Sequence, residues 1–221
     1  MKYISKSIQI SCDGGAATGK STGAKMISDK YNLKFLSSGL LYRYASFLIL
    51  KHKPKKKLEL LNKKFKKLNY NNLKKYNLHK PAISEHSSII AKDLKIRKIL
   101  KQYQINFSKK NKNCCIEGRD ISTNILPNSD LKFFFICNLN IAASRRYREL
   151  KRKKIKIQFK EVKKALRIRN ISDIKRKHSP LLKHRNSVVI DTGKLNKISM
   201  LAKMSKHVDK VLKNYEKWNW N

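Results

Sequence analysis

Short apolar runs alternate with amphipathic segments along most of the chain, and this alternation predicts strands joined by helices. The strand-like runs occupy residues 7–12, 33–36, 113–117, 131–137 and 186–191. Helical spacing is found in residues 20–31, 40–52, 141–154, 159–170 and 198–218. Strands separated by helical segments pair in parallel, because each helix carries the chain back along a face of the sheet. We therefore predict an α/β fold with a five-stranded parallel sheet flanked by helices.

Residues 51–112 interrupt this alternation with a segment that is dense in lysine. Their apolar residues recur at helical spacing, and residues 84–107 are predicted to form one long helix with Ser84 as its N-cap. We expect an inserted, mainly helical lobe over residues 51–112. Residues 1–50 and 113–221 would then form the core of the protein.

The loop after the first strand carries the most specific motif in the chain. Residues 14–21 have the sequence GGAATGKS, which fits G-x-x-x-x-G-K-[ST] at every fixed position. The backbone N–H groups of such a loop, and the N-terminus of the helix that follows, surround phosphate groups. A chance glycine-rich turn is disfavoured, because the motif follows a strand and begins a helix. The predicted nucleotide-binding residues are Gly14, Gly15, Ala16, Ala17, Thr18, Gly19, Lys20, Ser21 and Thr22.

Two side chains of this phosphate loop are expected to act on charge. Lys20 can bridge the β- and γ-phosphates of ATP and follow the charge as the phosphoryl group moves, and we expect it to stand apart from the core. The Ser21 hydroxyl can ligate Mg²⁺, with water and phosphate oxygens as the other ligands. The chain has no N-K-x-D motif of the GTPase kind. The pattern therefore favours a small-molecule kinase that uses ATP and Mg²⁺.

Three further glycines point to one edge of the predicted sheet. Gly39, Gly118 and Gly193 each lie just past the end of a predicted strand. Ligands of open α/β sheets bind at the carboxyl ends of the strands, where the backbone turns sharply or approaches the ligand closely. We expect the ligands of this protein at that edge.

The net charge of +40 has two explanations. It can serve a polyanionic partner such as nucleic acid, or it can follow from a codon bias that enriches lysine, asparagine and isoleucine. The basic residues are spread over most of the chain and form no single arm or tail. This distribution favours codon bias, so we expect no specific nucleic-acid partner.

The four cysteines, Cys12, Cys114, Cys115 and Cys137, form no C-x-x-C pair and show no zinc-binding spacing. They lie in apolar runs, which favours small buried side chains in a reducing compartment.

No signal peptide is visible, and the longest apolar runs are too short to cross a bilayer. We expect a cytoplasmic monomer that does not bind membranes.

The order of several short motifs resembles that of bacterial-type cytidylate kinases, a family of P-loop nucleoside monophosphate kinases. Residues 13–22 match D-G-x-x-x-x-G-K-S-T, residues 37–43 (SSGLLYR) match D-[ST]-G-x-x-Y-R, and residues 117–123 (EGRDIST) match D-G-R-D-x-x-T. Arg169, Asp173 and Arg176 match R-x-x-x-D-x-x-R, and Asp191-Thr192 match the closing D-[ST]. The matches run in order from residue 8 to about residue 192. Ser37, Glu117 and Ser172 depart from the family pattern, where the first two positions usually hold Asp and the third often Arg.

The resemblance implies an ATP-dependent phosphorylation of CMP or dCMP that requires Mg²⁺. It assigns the acceptor phosphate to Ser38, Arg43 and Arg119, and the acceptor sugar to Arg169 and Asp173. A lid at about residues 145–180 would carry Arg145, Arg146 and Arg176, which close over the transferring phosphoryl group next to Lys20. Arginine suits these roles, because its planar guanidinium binds phosphate in a bidentate way.

The choice of base is assigned to Asp120, Ser88 and Arg97. A carboxylate accepts a hydrogen bond from the exocyclic amino group of cytosine and repels the oxygen that uracil has there. Ser88 and Arg97, expected on one face of the long predicted helix, can serve the acceptor atoms of the base. Mg²⁺ ligation or helix capping are the alternatives for Asp120.

Three other functions remain open at this point. One is a different small-molecule P-loop kinase, of the shikimate, adenylate or dephospho-coenzyme A type. The G-R-D segment, with Ser88 and Arg97 upstream of it, argues against these. The second is a nucleic-acid-associated P-loop protein, which the net charge suggests. The third is a degraded copy that binds nucleotides but turns over poorly, which Ser37 and Ser172 suggest.

Overall fold

The structure is a computed structural model that describes the backbone of residues 7–217 and the side chains of residues 7–214. The tail Trp218-Asn219-Trp220, for which the sequence favours a packing anchor or a frayed end, lies outside the described residues.

Five strands form one sheet in the order β2-β3-β1-β4-β5. They are β1 (Gln9–Gly14), β2 (Lys34–Ser37), β3 (Cys114–Gly118), β4 (Leu131–Ile136) and β5 (Val188–Asp191). β1 pairs in parallel with both β3 and β4, and β4 pairs in parallel with β5. The predicted five-stranded parallel sheet is confirmed, with the strand that leads into the phosphate loop at its centre.

Eight α-helices connect or follow the strands in the part of the chain that is described. They are α1 (Lys20–Lys30), α2 (Ser38–His52), α3 (Lys57–Lys66), α4 (Pro81–Ile90), α5 (Leu94–Lys110), α6 (Leu139–Arg152), α7 (Phe159–Lys175) and α8 (Lys197–Lys217). A 3-10 helix spans Tyr70–Lys75, and a short π-helical turn spans Ile121–Ile125. None of the helices between residues 7 and 217 has the length and apolar character needed to cross a membrane.

The main apolar core lies against the central strands. Ile10 and Cys12 of β1 and Phe133 and Phe135 of β4 are buried there together with residues of α1 and α8. A second cluster joins α6 and α7. The near-continuous apolar sequence of β4 is typical of a strand inside a parallel sheet, since such strands are covered on both faces.

The expected burial of the cysteines is confirmed for three of the four. Cys12, Cys114 and Cys115 are buried, and Cys137, just after the end of β4, is only partly buried. All four are free thiols. Burial raises the pKa of Cys114 to about 12, so this thiol stays protonated and behaves as a small apolar group.

The chain divides into two compact units, one of residues up to Phe35 and from Lys112 onward, the other of Leu36–Asn111. The first unit holds the sheet, apart from the end of β2, together with α1 and α6–α8. The second unit is helical and contains α2–α5. Within it α2 packs against α4, and Tyr44 of α2 contacts the rings of Phe65 and Tyr76.

The single long helix predicted over residues 84–107 is wrong, because the chain breaks there into α4 and α5. α4 begins at Pro81, a residue that fits the first helical position, so Ser84 is inside the helix and is not its N-cap. Asp93 begins the second helix, since its carboxylate accepts hydrogen bonds from the backbone N–H groups of Lys95 and Ile96, at 2.9 Å and 3.2 Å. Ser88 and Arg97 therefore lie on different helices and share no helix face.

We expect Asp93→Ala to lower the free energy of unfolding by about 1 kcal/mol, the usual cost of removing an N-cap carboxylate. Chemical denaturation measures this difference. Asp29→Ala is the matched control, because Asp29 pairs with Lys25 on the exposed side of α1 and such pairs contribute about 0.3–0.5 kcal/mol. Lys57→Ala isolates the exposed Lys57–Asp93 ion pair. A loss in Asp93→Ala no larger than in these two variants would contradict the capping role.

Candidate active site

The phosphate loop leaves the centre of the sheet through two positions that need glycine. A Cβ atom on Gly14 would lie 2.5 Å from the backbone oxygen of Phe135 on the neighbouring strand. Gly19 has a φ of 79°, in the left-handed region, directly before α1 begins at Lys20. The loop therefore places the N-terminus of α1 at the carboxyl edge of the sheet, as the motif predicts.

Ala17 also adopts a left-handed backbone, with a φ of 58°. This conformation costs an alanine about 1–2 kcal/mol, so neighbouring contacts must maintain it. The Thr18 hydroxyl donates to the Gly15 carbonyl at 3.1 Å, and the Thr192 hydroxyl donates to the Thr18 carbonyl at 2.8 Å. The shape of the loop is thus held partly from within and partly by the end of β5.

Lys20 is buried, with 7% of its surface exposed, and its Nζ lies 2.8 Å from the carboxylate of Glu117. The expectation that this lysine stands apart from the core is wrong. β3 lies beside β1, and its carboxyl end brings Glu117 to the lysine, so that the ammonium group can be buried with a partner. Burial lowers the pKa of Lys20, and the charge of Glu117 opposes that effect.

Asp13, the last residue before the phosphate loop, is completely buried. Its carboxylate accepts hydrogen bonds from the backbone N–H groups of Ile121 at 2.8 Å and Ser122 at 2.7 Å, and from the Ser122 hydroxyl at 2.6 Å. Burial raises the pKa of Asp13 to about 6, although these hydrogen bonds act in the opposite direction. The sequence motif that contains Asp13 predicted no role for its side chain.

The predicted acceptor residues Arg119 and Asp173 form an ion pair. Arg119 Nε donates to the Asp173 carboxylate at 2.8 Å, which joins the end of β3 to α7. Burial by itself would raise the pKa of Asp173. The charges of Arg119, Arg169 and Arg176 outweigh that effect and hold the pKa below its usual value. Asp173 is therefore ionised at neutral pH and can hold nearby guanidinium groups in place.

Arg176 is bound by two carboxylates at the end of α7. Its terminal nitrogens lie 3.4 Å from Asp120 and 3.6 Å from Asp173, and its Nε donates to the Ser179 carbonyl at 2.6 Å. Asp120 also accepts from the Asn124 side-chain amide at 3.1 Å. Four residues that the resemblance singled out, Arg119, Asp120, Asp173 and Arg176, thus form one network of alternating charge.

Asp120 is the N-cap residue of the π-helical turn, but its side chain makes no capping hydrogen bond there. Helix capping, one of the alternatives for this carboxylate, is therefore wrong. The backbone N–H groups at the start of the turn donate to Asp13 instead.

The two predicted lid arginines, Arg145 and Arg146, lie on α6 and have different partners. Arg145 donates to the hydroxyl of Thr192 at 2.9 Å and to its backbone oxygen at 2.7 Å. Arg146 pairs with Glu149 of the same helix at 2.7 Å. Arg145 is thereby linked, through Thr192, to the phosphate loop, and the catalytic role predicted for both arginines stays a prediction.

Asn170 of α7 is a site residue that no motif indicated. Its side-chain oxygen accepts a hydrogen bond from the backbone N–H of Ala16 in the phosphate loop at 2.9 Å. The only signal in the sequence was its position next to Arg169. α7 therefore reaches both the phosphate loop and, through Asp173, the G-R-D segment.

The helical unit holds the predicted acceptor residues Ser38, Arg43, Ser88 and Arg97. Ser21 and Thr22 lie on α1, and Arg169 lies on α7. The Ser37 hydroxyl caps α2 by accepting from the backbone N–H of Leu40, and Ser38 is buried at the first position of that helix. Arg97 is buried, with its guanidinium 5.7 Å from the ring centre of Tyr42 and hydrogen-bonded to the Ala91 carbonyl at 3.1 Å. Arg43 lies on α2, and Ser88 of α4 donates to the Ser84 carbonyl at 3.3 Å.

The parallel sheet, the central glycine loop and the buried lysine at its end define a P-loop kinase fold. Two solved structures share this fold with low sequence identity. They are TT1252 from Thermus thermophilus (TM-score 0.52, 16% identity, 92% of this chain and 96% of that one) and an uncharacterised protein from Eubacterium ventriosum (TM-score 0.55, 15% identity, 91% and 98%).

The family model for cytidylate kinase matches residues 10–210. Cytidylate kinase from Bartonella tribocorum is 35% identical, over 94% of this chain and 97% of that protein. The cytidylate kinases of Mesomycoplasma hyopneumoniae strain 7448 and Rickettsia canadensis are each 33% identical, over 92% and 95% of this chain and 94% and 95% of theirs. The chain belongs to the cytidylate kinase family, as its motifs predict, and the other small-molecule kinases are not favoured.

Lys20→Ala is expected to slow phosphoryl transfer by orders of magnitude and also to destabilise the protein. Losing a main electrostatic stabiliser costs about 10²–10³ in rate. Removing one partner of a buried ion pair costs about 3–5 kcal/mol of unfolding free energy, because Glu117 keeps a buried charge without its lysine. Turnover of a folded variant and chemical denaturation measure the two effects separately.

Two controls separate catalysis from stability at Lys20. The double variant Lys20→Ala/Glu117→Gln should recover much of the unfolding free energy and none of the activity. Lys25→Ala removes an exposed lysine of the same helix and should change both quantities little. Near-normal turnover by folded Lys20→Ala would exclude the phosphate-loop mechanism.

Proposed function

We propose that this protein transfers the γ-phosphoryl group of ATP to CMP, forming ADP and CDP, and that dCMP is a second acceptor. The observation that carries the proposal is the position of Lys20 and the G-R-D segment at the carboxyl ends of neighbouring strands β1 and β3. The membership of the cytidylate kinase family supports it.

The acceptor phosphate is already an anion at neutral pH, so the reaction needs no general base. The difficulty is to align two polyphosphate anions, and catalysis consists of positioning and charge stabilisation. Lys20 supplies a positive charge at the phosphate loop. The ion pairs of Asp173 with Arg119 and Arg176 hold two further cations close together in spite of their mutual repulsion.

The resident cation of this reaction would be Mg²⁺ bound to the phosphates of ATP. Ser21, exposed at the first turn of α1, fits the role of a single hydroxyl ligand. Magnesium is usually held by one or two protein oxygens, with phosphate and water oxygens as the rest. When bound, it would neutralise charge that develops on the β- and γ-phosphates.

The roles of the acceptor residues are part of the proposal. Ser38, Arg43 and Arg119 bind the acceptor phosphate, and Arg169 and Asp173 bind the sugar. Ser88, Arg97 and Asp120 bind the base. Arg145, Arg146 and Arg176 act on the transferring phosphoryl group.

Two segments are assigned to parts of the reaction cycle. Residues 51–112 belong to the lobe that binds the acceptor nucleotide. Residues 145–180 act as a lid, and their closure would exclude water, which competes with CMP as phosphoryl acceptor.

A coupled assay of ADP production tests the function directly. We expect turnover with CMP and dCMP, less with UMP, and none above the background with AMP or shikimate. The Lys20→Ala/Glu117→Gln variant gives that background, because it lacks the phosphate-loop lysine. Turnover that is highest with AMP or shikimate would overturn the assignment of the acceptor.

Asp120→Asn is expected to shift the choice of base. The carboxamide no longer repels the uracil oxygen and can donate a hydrogen bond to it, so kcat/KM for CMP falls and that for UMP rises relative to it. The ratio of the two kcat/KM values, before and after the change, is the measurement.

Asp173→Asn is the matched control for this ratio. Asp120→Asn and Asp173→Asn each remove a carboxylate partner of Arg176. Asp173, however, is assigned to the sugar, which CMP and UMP share. Asp173→Asn should slow both acceptors alike. If Asp120→Asn does the same and shifts the magnesium dependence, Asp120 serves the metal and does not read the base.

A further inference from the structure

Asp13 provides the capping hydrogen bonds that Asp120 does not make. A helical turn begins with backbone N–H groups that have no partner inside the turn, and an Asp at the N-cap usually accepts from them. At the π-helical turn Ile121–Ile125, the N-cap residue Asp120 makes no such bond. The N–H groups of Ile121 and Ser122 donate to the buried Asp13 carboxylate.

The sheet register explains how Asp13 can accept hydrogen bonds that the N-cap residue Asp120 would usually accept. Asp13 on β1 lies opposite Gly118 on β3, two residues before Asp120. The Asp13 side chain therefore reaches from the neighbouring strand β1 to the first residues after the G-R-D segment. Three donors within 2.6–2.8 Å fix its position.

We propose that Asp13 is a positioning residue for acceptor specificity, which keeps the Asp120 carboxylate away from its own turn and directed to the base of the acceptor. The inference rests on the proposed base-reading role of Asp120. Asp13 itself touches no reacting group in this scheme and acts only through Asp120.

The competition between the two carboxylates explains why Asp13 matters. Asp13 accepts hydrogen bonds from the N–H groups of Ile121 and Ser122 and from the Ser122 hydroxyl. Without Asp13, the two buried N–H groups would lose this acceptor, and an unsatisfied buried donor lowers stability. The side chain of Asp120 could replace these acceptor contacts, because Asp120 is the N-cap residue of the same turn. Asp120 would then turn away from Arg176 and Asn124, its partners in this structure.

The test is the CMP/UMP ratio of kcat/KM in Asp13→Asn. The asparagine side chain has one oxygen in place of two and brings an NH₂ group toward backbone donors. We expect the ratio to fall about tenfold, toward that of Asp120→Asn, the size of effect that one misplaced hydrogen bond produces. KM for ATP should change less than about twofold, a difference that corresponds to well under one hydrogen bond.

Ser122→Ala and Ser129→Ala complete the series. Ser122→Ala removes only the hydroxyl that donates to Asp13, so its effect on the ratio should be smaller and of the same sign. Ser129→Ala removes a buried hydrogen bond, 2.9 Å long, to Ser11, which lies on the same strand as Asp13. This bond involves no residue of the G-R-D segment. Ser129→Ala should lower Tm and leave the ratio unchanged.

The double variant Asp13→Asn/Asp120→Asn separates positioning from general damage. If Asp13 acts through Asp120, the two changes in the ratio are not additive, and the double variant resembles Asp120→Asn. Full additivity, or an unchanged ratio in folded Asp13→Asn, would overturn the inference. Should Asp13→Asn not fold, an unchanged ratio in Ser122→Ala overturns it.

The same data distinguish failure of the inference from failure of the proposed function. If Asp120→Asn shifts the ratio and Asp13→Asn does not, only the positioning role is lost. If Asp120→Asn itself leaves the ratio unchanged, the base-reading role fails and the role of Asp13 fails with it.

Discussion

Burial of charge at the carboxyl edge of the sheet is the constraint on which the rest of this site depends. An isolated charge costs several kcal/mol to remove from water, so each one needs a partner in place. Lys20 forms an ion pair with Glu117, and Asp173 forms one with Arg119. Asp13 accepts hydrogen bonds from two backbone N–H groups and a hydroxyl. Because these partners come from separate strands and helices, they also fix the positions of the charges before any nucleotide binds.

Helix α7 links the phosphate loop to the G-R-D segment at this edge. Asn170 and Asp173 are three residues apart and therefore lie on one face of the helix. The first contacts the phosphate loop at Ala16, and the second holds Arg119 after β3. A movement of α7 would consequently change both contacts at once, which makes this helix a natural part of the proposed lid.

The composition of the chain makes the location of its acidic residues informative. Only 14 residues are Asp or Glu, against 54 Lys and Arg. Four of these acids, Asp13, Glu117, Asp120 and Asp173, are placed at the edge of the sheet, and all of them contact a cation or backbone donors there. The excess of lysine therefore does not extend to this site, whose carboxylates have particular partners.

The sequence by itself determined the parallel sheet, the phosphate loop and the family, because these depend on local signals: apolar runs, helical spacing and short motifs. It missed the break at Asp93, since helical periodicity continues across three residues and only a capping carboxylate marks the change. Tertiary structure alone decided which side chains are partners. Glu117 reaches Lys20 and Asp13 reaches Ile121 because β3 lies beside β1, and that strand order brings together residues about a hundred positions apart.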